Sequence, residues 1–107
     1  MTQKSLFIEF MGDSPMVRVI DYLMTERDMD FSITDMANNA GIGRATLYRI
    51  WNGLIKNKII VHTRDIGKAK LFMLNKVNPR VKKLIELDDT LVSEDLKKRS
   101  KKIEVTA

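Results

Sequence analysis

The pattern of apolar and polar residues predicts a chain of helices interrupted by one β-hairpin. Apolar residues recur at helical spacing over about residues 15–26, 44–56 and 79–101, and a shorter helical stretch precedes the second of these. Two runs rich in β-branched and large apolar residues, 59–64 and 69–74, flank a short loop that contains glycine. Such a pair of runs is typical of a hairpin. The predicted fold class is therefore mainly α with a β-hairpin.

Proline and glycine mark where these helices begin and end. Ser14-Pro15 and Asn78-Pro79 each place an N-cap residue before a proline at the first helical position. Gly41 can adopt the left-handed conformation that stops one helix and redirects the chain, and two alanines before it allow close helix crossing. Residues 34–56 therefore have the pattern of a helix-turn-helix. Phe31, just before this unit, fits a very short strand.

The helix over residues 44–56 has two chemically different sides. On a helical wheel its large apolar residues share one side, and most of its hydrogen-bonding and basic residues lie roughly opposite. The apolar side holds Leu47, Ile50, Trp51 and Leu54, and the other side holds Ala45, Tyr48, Arg49, Asn52 and Lys56. We therefore expect one side in the core and the other facing a partner.

Positive charge is concentrated in the middle of the chain. The net charge of +5 divides into −4 for residues 1–40, +10 for residues 41–83 and −1 for residues 84–107. A concentrated basic patch is typical of a protein that binds a polyanion. The alternative is a solvated surface that only maintains solubility.

Several classes of function are disfavoured by composition. The chain has no cysteine and a single histidine, His62, so disulfides and thiol chemistry are excluded and a transition-metal site is not expected. We expect His62 to be a hydrogen-bonded surface residue. No apolar run approaches the roughly 20 residues that cross a bilayer, and no signal peptide is seen, so we expect a cytoplasmic protein without membrane contact. No catalytic constellation or phosphate loop occurs, so we expect no enzyme activity and no cofactor.

Three segments resemble one family of DNA-binding proteins. The sequences GDSPMVRVIDYL, ATLYRIW and TRDIGKAKLF are similar to winged helix-turn-helix transcription regulators of the MarR-like and ArsR-like type, especially small archaeal ones. The resemblance covers residues 14–75 and extends to about residue 95. It implies that the third helix of this unit lies in the major groove and that the hairpin, the wing, lies on flanking backbone or in the minor groove. The family's large effector domains are absent here, so no small-molecule effector is evident.

The resemblance places the base-contacting positions at Gly43 and in the first two turns of the third helix, and the helical wheel adds Asn52. The predicted base contacts are Arg44, Ala45, Tyr48, Arg49 and Asn52. The predicted contacts to the DNA backbone are Gly43, Thr46, Lys56, Arg64, Lys68 and Lys70. Arginine can bind guanine bidentately, asparagine can bind adenine, and lysines more often meet phosphates.

The apolar stripe of the last helix packs either on its own domain or on a second subunit, and we favour a homodimer. The expected dimer contacts are Val81, Leu84, Ile85, Leu91 and Val92. Asp88 and Asp95 also fall on this stripe, where they fit a kink, a second cap near Ser93 or a device for pairing specificity. Two-fold regulators match palindromic half-sites about one turn of DNA apart.

These observations predict a sequence-specific double-stranded DNA-binding protein that regulates transcription. Residues 1–13 form an N-terminal arm or short helix, residues 14–76 the winged helix-turn-helix, residues 77–102 the dimerisation helix, and residues 103–107 a disordered tail. The alternatives are a partition or DNA-organising protein and a winged-helix module that binds another protein.

Overall fold

The computed structural model describes the backbone of residues 4–106 and the side chains of residues 4–100. Within that part of the chain, five helices surround one antiparallel two-stranded sheet. The elements are α1 (Leu6–Met11), α2 (Pro15–Thr25), α3 (Ile33–Ala40), α4 (Arg44–Lys56), β1 (Ile60–Ile66), β2 (Ala69–Leu74) and α5 (Pro79–Thr106). The predicted fold class, mainly α with one hairpin, is confirmed.

Local capping explains where two of the helices begin. The Ser14 hydroxyl accepts a hydrogen bond from the Val17 amide at 3.2 Å, and the Ser32 hydroxyl accepts one from the Asp35 amide at 3.2 Å. Each bond satisfies an amide that has no partner within its own helix, which stabilises a helix by about 1 kcal/mol. Gly41 ends α3 with φ +72°, the left-handed conformation expected for this turn.

The core lies where α2, α3, α4 and the sheet meet. Leu23, Met36, Leu47 and Leu54 are fully buried, and Ile42 and Ile50 pack against this cluster. Burying one such side chain stabilises the fold by about 1.5–3 kcal/mol. The prediction that the apolar side of α4 faces the core is confirmed.

The hairpin differs in detail from its prediction. Ile66 pairs with Ala69, so the turn consists of two residues, Gly67 and Lys68, instead of the expected four. Gly67 has φ +60° and Lys68 does not have a positive φ, which is the pattern of a type II′ turn. The pairing shifts by one residue at Thr63, which forms a β-bulge. Because this turn is so tight, β1 extends two residues beyond its predicted end.

A single-residue β-bridge joins Phe31 to the hairpin. Phe31 forms an antiparallel bridge with Phe72, and each amide donates to the other's carbonyl at 2.8 Å. This confirms the strand predicted at Phe31 and fixes the start of α3 against the sheet.

The N-terminal apolar cluster forms the short helix α1, which packs on α2 and α5 of its own chain. Phe7 is buried, and the Ser5 hydroxyl donates to the Asp21 carboxylate at 2.8 Å. Residues 1–3 of the predicted arm lie outside the described residues.

Helix α5 is longer than predicted and contributes to the core. It continues to Thr106, past residue 101, because no proline or glycine follows Pro79. Ala107, the last residue of the predicted tail, lies outside the described residues. Val81 is 1% exposed and lies in the core of its own chain, so its predicted place in a dimer interface is wrong. Helical periodicity identifies an apolar stripe but does not identify what covers it.

The two acidic residues on the α5 stripe have different surroundings. Asp88 is half-buried, and burial raises its pKa, with the nearby charges of Asp21 and Asp89 adding to the rise. Asp95 accepts from Arg99 at 3.0 Å on the same helix. The helix is unbroken across both residues.

One buried asparagine joins α4 to α5. The Asn78 side-chain amide donates to the carbonyls of Asn57 and Lys58 at 2.9 and 3.0 Å, and its oxygen accepts from the Arg80 amide at 2.9 Å. Arg80 also donates to the Asn57 carbonyl at 3.2 Å. We call these four residues the α4–α5 junction. The Asn78 side chain thereby supplies hydrogen-bond partners both to backbone carbonyls at the end of α4 and to a backbone amide at the start of α5.

Candidate nucleic-acid interface

Helix α4 projects from the turn with its N-terminus uncapped by a side chain. Gly43 is the N-cap residue, and it supplies no side-chain hydrogen bond to the first turn. The amide groups of a helix N-terminus favour an anion such as a phosphate. Arg18 donates to the Gly41 carbonyl at 3.2 Å and so holds the turn against α2.

The two sides of α4 separate as the sequence predicts. Trp51 is half-buried and meets Phe72 edge-to-face at 4.9 Å, which favours a core role over a stacking platform. Thr46 is half-buried. On the polar side, the exposed residues are Arg44, Ala45, Tyr48, Arg49, Asn52 and Lys56. All five predicted base-contact residues therefore share one accessible surface.

Both arginines on that surface are held by hydroxyl groups. Arg44 Nη2 donates to the Tyr48 hydroxyl at 2.9 Å, and Arg49 Nη2 donates to the Thr46 hydroxyl at 3.3 Å. Neither arginine has a carboxylate partner among the described side chains. Their positive charges therefore remain available to a ligand.

The wing lies across a groove from α4. The groove has a volume of about 460 Å³ and contains both basic and aromatic side chains. We call it the recognition groove, and its defining residues are Arg44, Tyr48, Trp51, Lys68 and Lys70. The structure thus brings two predicted helix contacts, Arg44 and Tyr48, and two predicted wing contacts, Lys68 and Lys70, together around one cleft.

Arg64, a predicted backbone contact, is already engaged at the base of the wing. Its guanidinium binds the Asp30 carboxylate bidentately, at 2.9 and 3.1 Å. Hydrogen bonds from Arg64 and then from Thr63 lower the pKa of Asp30 to about 2. No local sequence pattern predicts this pair, because its members are 34 residues apart. The uncompensated charge of the wing therefore lies on Lys68 and Lys70.

His62 lies on the exposed surface of β1. Its ring binds the Asp65 carboxylate at 2.7 Å and approaches the edge of Phe72 at 5.5 Å. The predicted hydrogen-bonded surface histidine is confirmed. Asp65 is also the one acidic residue in the basic segment 41–83.

The described residues contain neither a metal-binding cluster nor a membrane-spanning helix. No group of three or more histidine and carboxylate side chains has a metal-binding arrangement there. In the same part of the chain, no helix combines the length and apolar character that crossing a membrane requires.

A helix-turn-helix followed by a hairpin that flanks its second helix defines the winged helix-turn-helix fold, and this chain has that fold. Residues 19–60 match the family model described as a Cro/C1-type HTH DNA-binding domain. The match begins within α2 and ends at the first residue of β1, so it contains the turn and all of α4.

Solved structures of similar fold include a repressor and a DNA-binding protein. The adhesin competence repressor AdcR from Streptococcus pyogenes is 17% identical with a TM-score of 0.57, and the match covers 81% of this chain and 64% of AdcR. NadR in complex with 4-hydroxyphenylacetate is 20% identical with a TM-score of 0.62, covering 94% and 74%. Sso10a-2, a DNA-binding protein from Sulfolobus solfataricus, is 15% identical with a TM-score of 0.51, covering 83% and 90%.

At such low sequence identity, TM-scores above 0.5 show a shared fold. The chain spans just under two thirds of AdcR. No curated protein matches the chain. The helix-turn-helix match and the fold together support a DNA-binding regulator.

Proposed function

We propose that this protein binds duplex DNA at specific sequences and regulates transcription. The observation that carries the proposal is the recognition groove, where the polar side of α4 and the wing lysines converge. In this arrangement α4 enters the major groove and the wing lies on the flanking backbone or in the minor groove. No observation favours the two alternatives, a DNA-organising protein or a protein-binding module.

The chemistry divides between reading bases and holding phosphates. Arg44 and Arg49 carry free charge on α4, and an arginine bound to guanine O6 and N7 contributes about 1–3 kcal/mol of discrimination. Lys56, Lys68 and Lys70 are exposed and supply positive charge for phosphates, which position the protein without reading sequence.

Titration of duplex DNA at several salt concentrations tests the proposal. Two subunits that together meet about 6–10 phosphates give a slope of log affinity against log salt of roughly −5 to −9. Selection from random duplexes then identifies the bound sequence. Absence of binding at low salt, or binding that does not change with salt, contradicts the proposal.

We further propose that the protein is a homodimer joined through the second half of α5. Leu91, Val92 and Leu96 continue the apolar stripe beyond the core, and the last two are 43% and 60% exposed. Leu84 and Ile85 are partly buried against their own core and contribute only their remaining surface.

The charge pattern of α5 favours an antiparallel pair. Residues 84–96 contain five acidic and no basic side chains, and residues 97–102 contain five basic and no acidic ones. An antiparallel arrangement places the basic end of each helix beside the acidic segment of the other, whereas a parallel arrangement opposes like charges. A groove of about 640 Å³ between α2 and α5 lies along this stretch, with Met24, Val92 and Leu96 in its wall.

Sedimentation mass of the full chain tests the dimer. We expect about twice the chain mass of 12.3 kDa for the natural protein, and a monomer for the double variant Val92→Glu, Leu96→Glu. Val77→Glu is the matched control, because Val77 is 78% exposed and lies outside the stripe. A double variant that keeps the mass of the natural protein refutes this interface.

An effector is not part of this proposal. The solved structure of NadR contains 4-hydroxyphenylacetate, and that of PefR contains heme and carbon monoxide. The expectation that no effector exists therefore has no support from these neighbours, and the DNA titrations are designed without any added small molecule.

A further inference from the structure

Arg44 and Tyr48 form a preassembled pair on the exposed side of α4. They are one helical turn apart, and Arg44 Nη2 donates to the Tyr48 hydroxyl at 2.9 Å. The guanidinium carbon also lies 5.6 Å from the centre of the Tyr48 ring, within the range of a cation–π contact. Two contacts therefore hold a long, otherwise flexible side chain in one orientation.

The pair retains the groups that recognition of a base requires. A guanidinium has five N–H donors, and the hydrogen bond to Tyr48 uses one of them. Arg44 is exposed, and Tyr48 is 50% exposed. A free bidentate edge thus remains for the O6 and N7 atoms of guanine.

Two other arginines of the chain are held by carboxylates and have a structural role. Arg18 binds the carboxylate of Asp13 at 2.6 Å, and Arg64 binds that of Asp30 at 2.9 Å. A carboxylate neutralises the arginine that it holds, whereas the Tyr48 hydroxyl orients Arg44 and leaves its charge intact. An arginine held by a hydroxyl keeps its charge for a ligand, whereas an arginine held by a carboxylate has a structural role.

We propose that Tyr48 is a positioning residue, and that Arg44 and Tyr48 together read one guanine in the DNA site. This inference rests on the proposed function. Tyr48 was predicted to contact a base directly, and the pair geometry assigns its hydroxyl instead to Arg44. Fixing the arginine before binding lowers the rotamer entropy lost on binding, which favours the sequence with a guanine at that position.

Base preference at each position of the selected site tests the pair. We expect Arg44→Ala to lose preference for guanine at one position by about 5- to 150-fold, which corresponds to 1–3 kcal/mol. Tyr48→Phe keeps the ring and removes the hydroxyl, and we expect it to lose about three- to tenfold of the same preference. In the Arg44→Ala background, Tyr48→Phe then changes that preference no further.

Tyr22→Phe is the matched control. Its hydroxyl accepts a hydrogen bond from Asn39 at 3.0 Å, away from the exposed side of α4, so its loss leaves base preference unchanged. The inference is overturned if Tyr48→Phe keeps the full guanine preference, weakens binding to all sequences equally, or adds its effect to that of Arg44→Ala. Natural protein that binds no DNA refutes the proposed function instead, which distinguishes the two failures.

Discussion

At the scale of single residues, the partner of each arginine decides its role. Arg64 is held by Asp30 and anchors the wing, while Arg49 is held by Thr46 and keeps its charge. Helical spacing predicted Arg49, which falls opposite the apolar side, and the family resemblance added Arg44. Neither predicted the bond between Asp30 and Arg64, because that contact depends on how the hairpin folds back beside Phe31.

Arg49→Ala tests base reading at a second position. We expect loss of about 1–3 kcal/mol of binding to the preferred site and relaxed preference at one base pair. Lys76→Ala is the control, since it removes the same charge from a surface lysine outside α4 and α5 that Asp28 already binds. Competition binding with single-base variants of the site measures both the affinity for the preferred site and the base preference at each position. Equal loss on every sequence would assign Arg49 to a phosphate.

Asp30→Asn tests the anchor of the wing through its pH dependence. The pKa of Asp30 is about 2, below its ordinary value of 3.8, so the folded state favours the ionised carboxylate. Its stabilising contribution is therefore complete above pH 3.8 and disappears as the pH falls through about 2. We expect the variant to melt at a lower temperature at pH 6, and the difference to shrink below pH 4.

Thermal melts at several pH values make this measurement. Glu9→Gln is its control, because Glu9 is exposed and has no ion pair among the described side chains. A melting difference for Asp30→Asn that is constant from pH 6 to pH 2 would contradict the role given to this carboxylate.

At the scale of elements, boundaries set by local chemistry were predictable and contacts set by distant packing were not. Helix α4 begins and ends where the sequence predicts, at Arg44 and Lys56. The bulge at Thr63 was not predicted, since its hydroxyl donates to Asp30 at 2.6 Å across 33 residues. The burial of Val81 was also not predicted, because it depends on packing against residues that are distant in the sequence.

Replacing both Lys68 and Lys70 with alanine tests the wing as an element. Each lysine that contacts a phosphate contributes about 1 to the magnitude of the slope of log affinity against log salt. We therefore expect the double variant to have a slope smaller in magnitude by about 2 per subunit, with base preference unchanged. Lys76→Ala is the control, because Lys76 is already bound to Asp28. A double variant with the natural slope would show that the wing does not contact the backbone.

At the scale of the whole molecule, α5 has two roles along its length. Its first turns complete the core through Val81, and its remainder extends the molecule to a longest dimension of 57 Å. The sequence predicted a single dimerisation helix because an apolar stripe looks the same whether its own domain or a partner covers it.

Deletion of residues 91–107 tests this division. Val81, Leu84 and Ile85 remain, so we expect the shortened chain to fold cooperatively and to bind a single half-site. It should lose the preference of the full chain for two half-sites at a fixed spacing. Thermal melting checks whether the shortened chain folds, and binding to palindromes of varied spacing checks its preference for two half-sites at a fixed spacing. Unchanged spacing preference would place the dimer contact elsewhere.

The α4–α5 junction couples the orientations of the two helices. Asn78 bonds to residues of both helix ends, so a tilt of α5 is transmitted to α4, the helix proposed to enter the DNA. The 28 residues of α5 span about 42 Å, and a tilt of about 5° displaces its far end by roughly 4 Å, close to the ~3.4 Å rise of one base pair. In the proposed dimer, the stiffness of the α4–α5 junction therefore limits how far the spacing between the two half-sites can vary. We expect Asn78→Ala to widen the range of half-site spacings that the protein binds in the same series of palindromes.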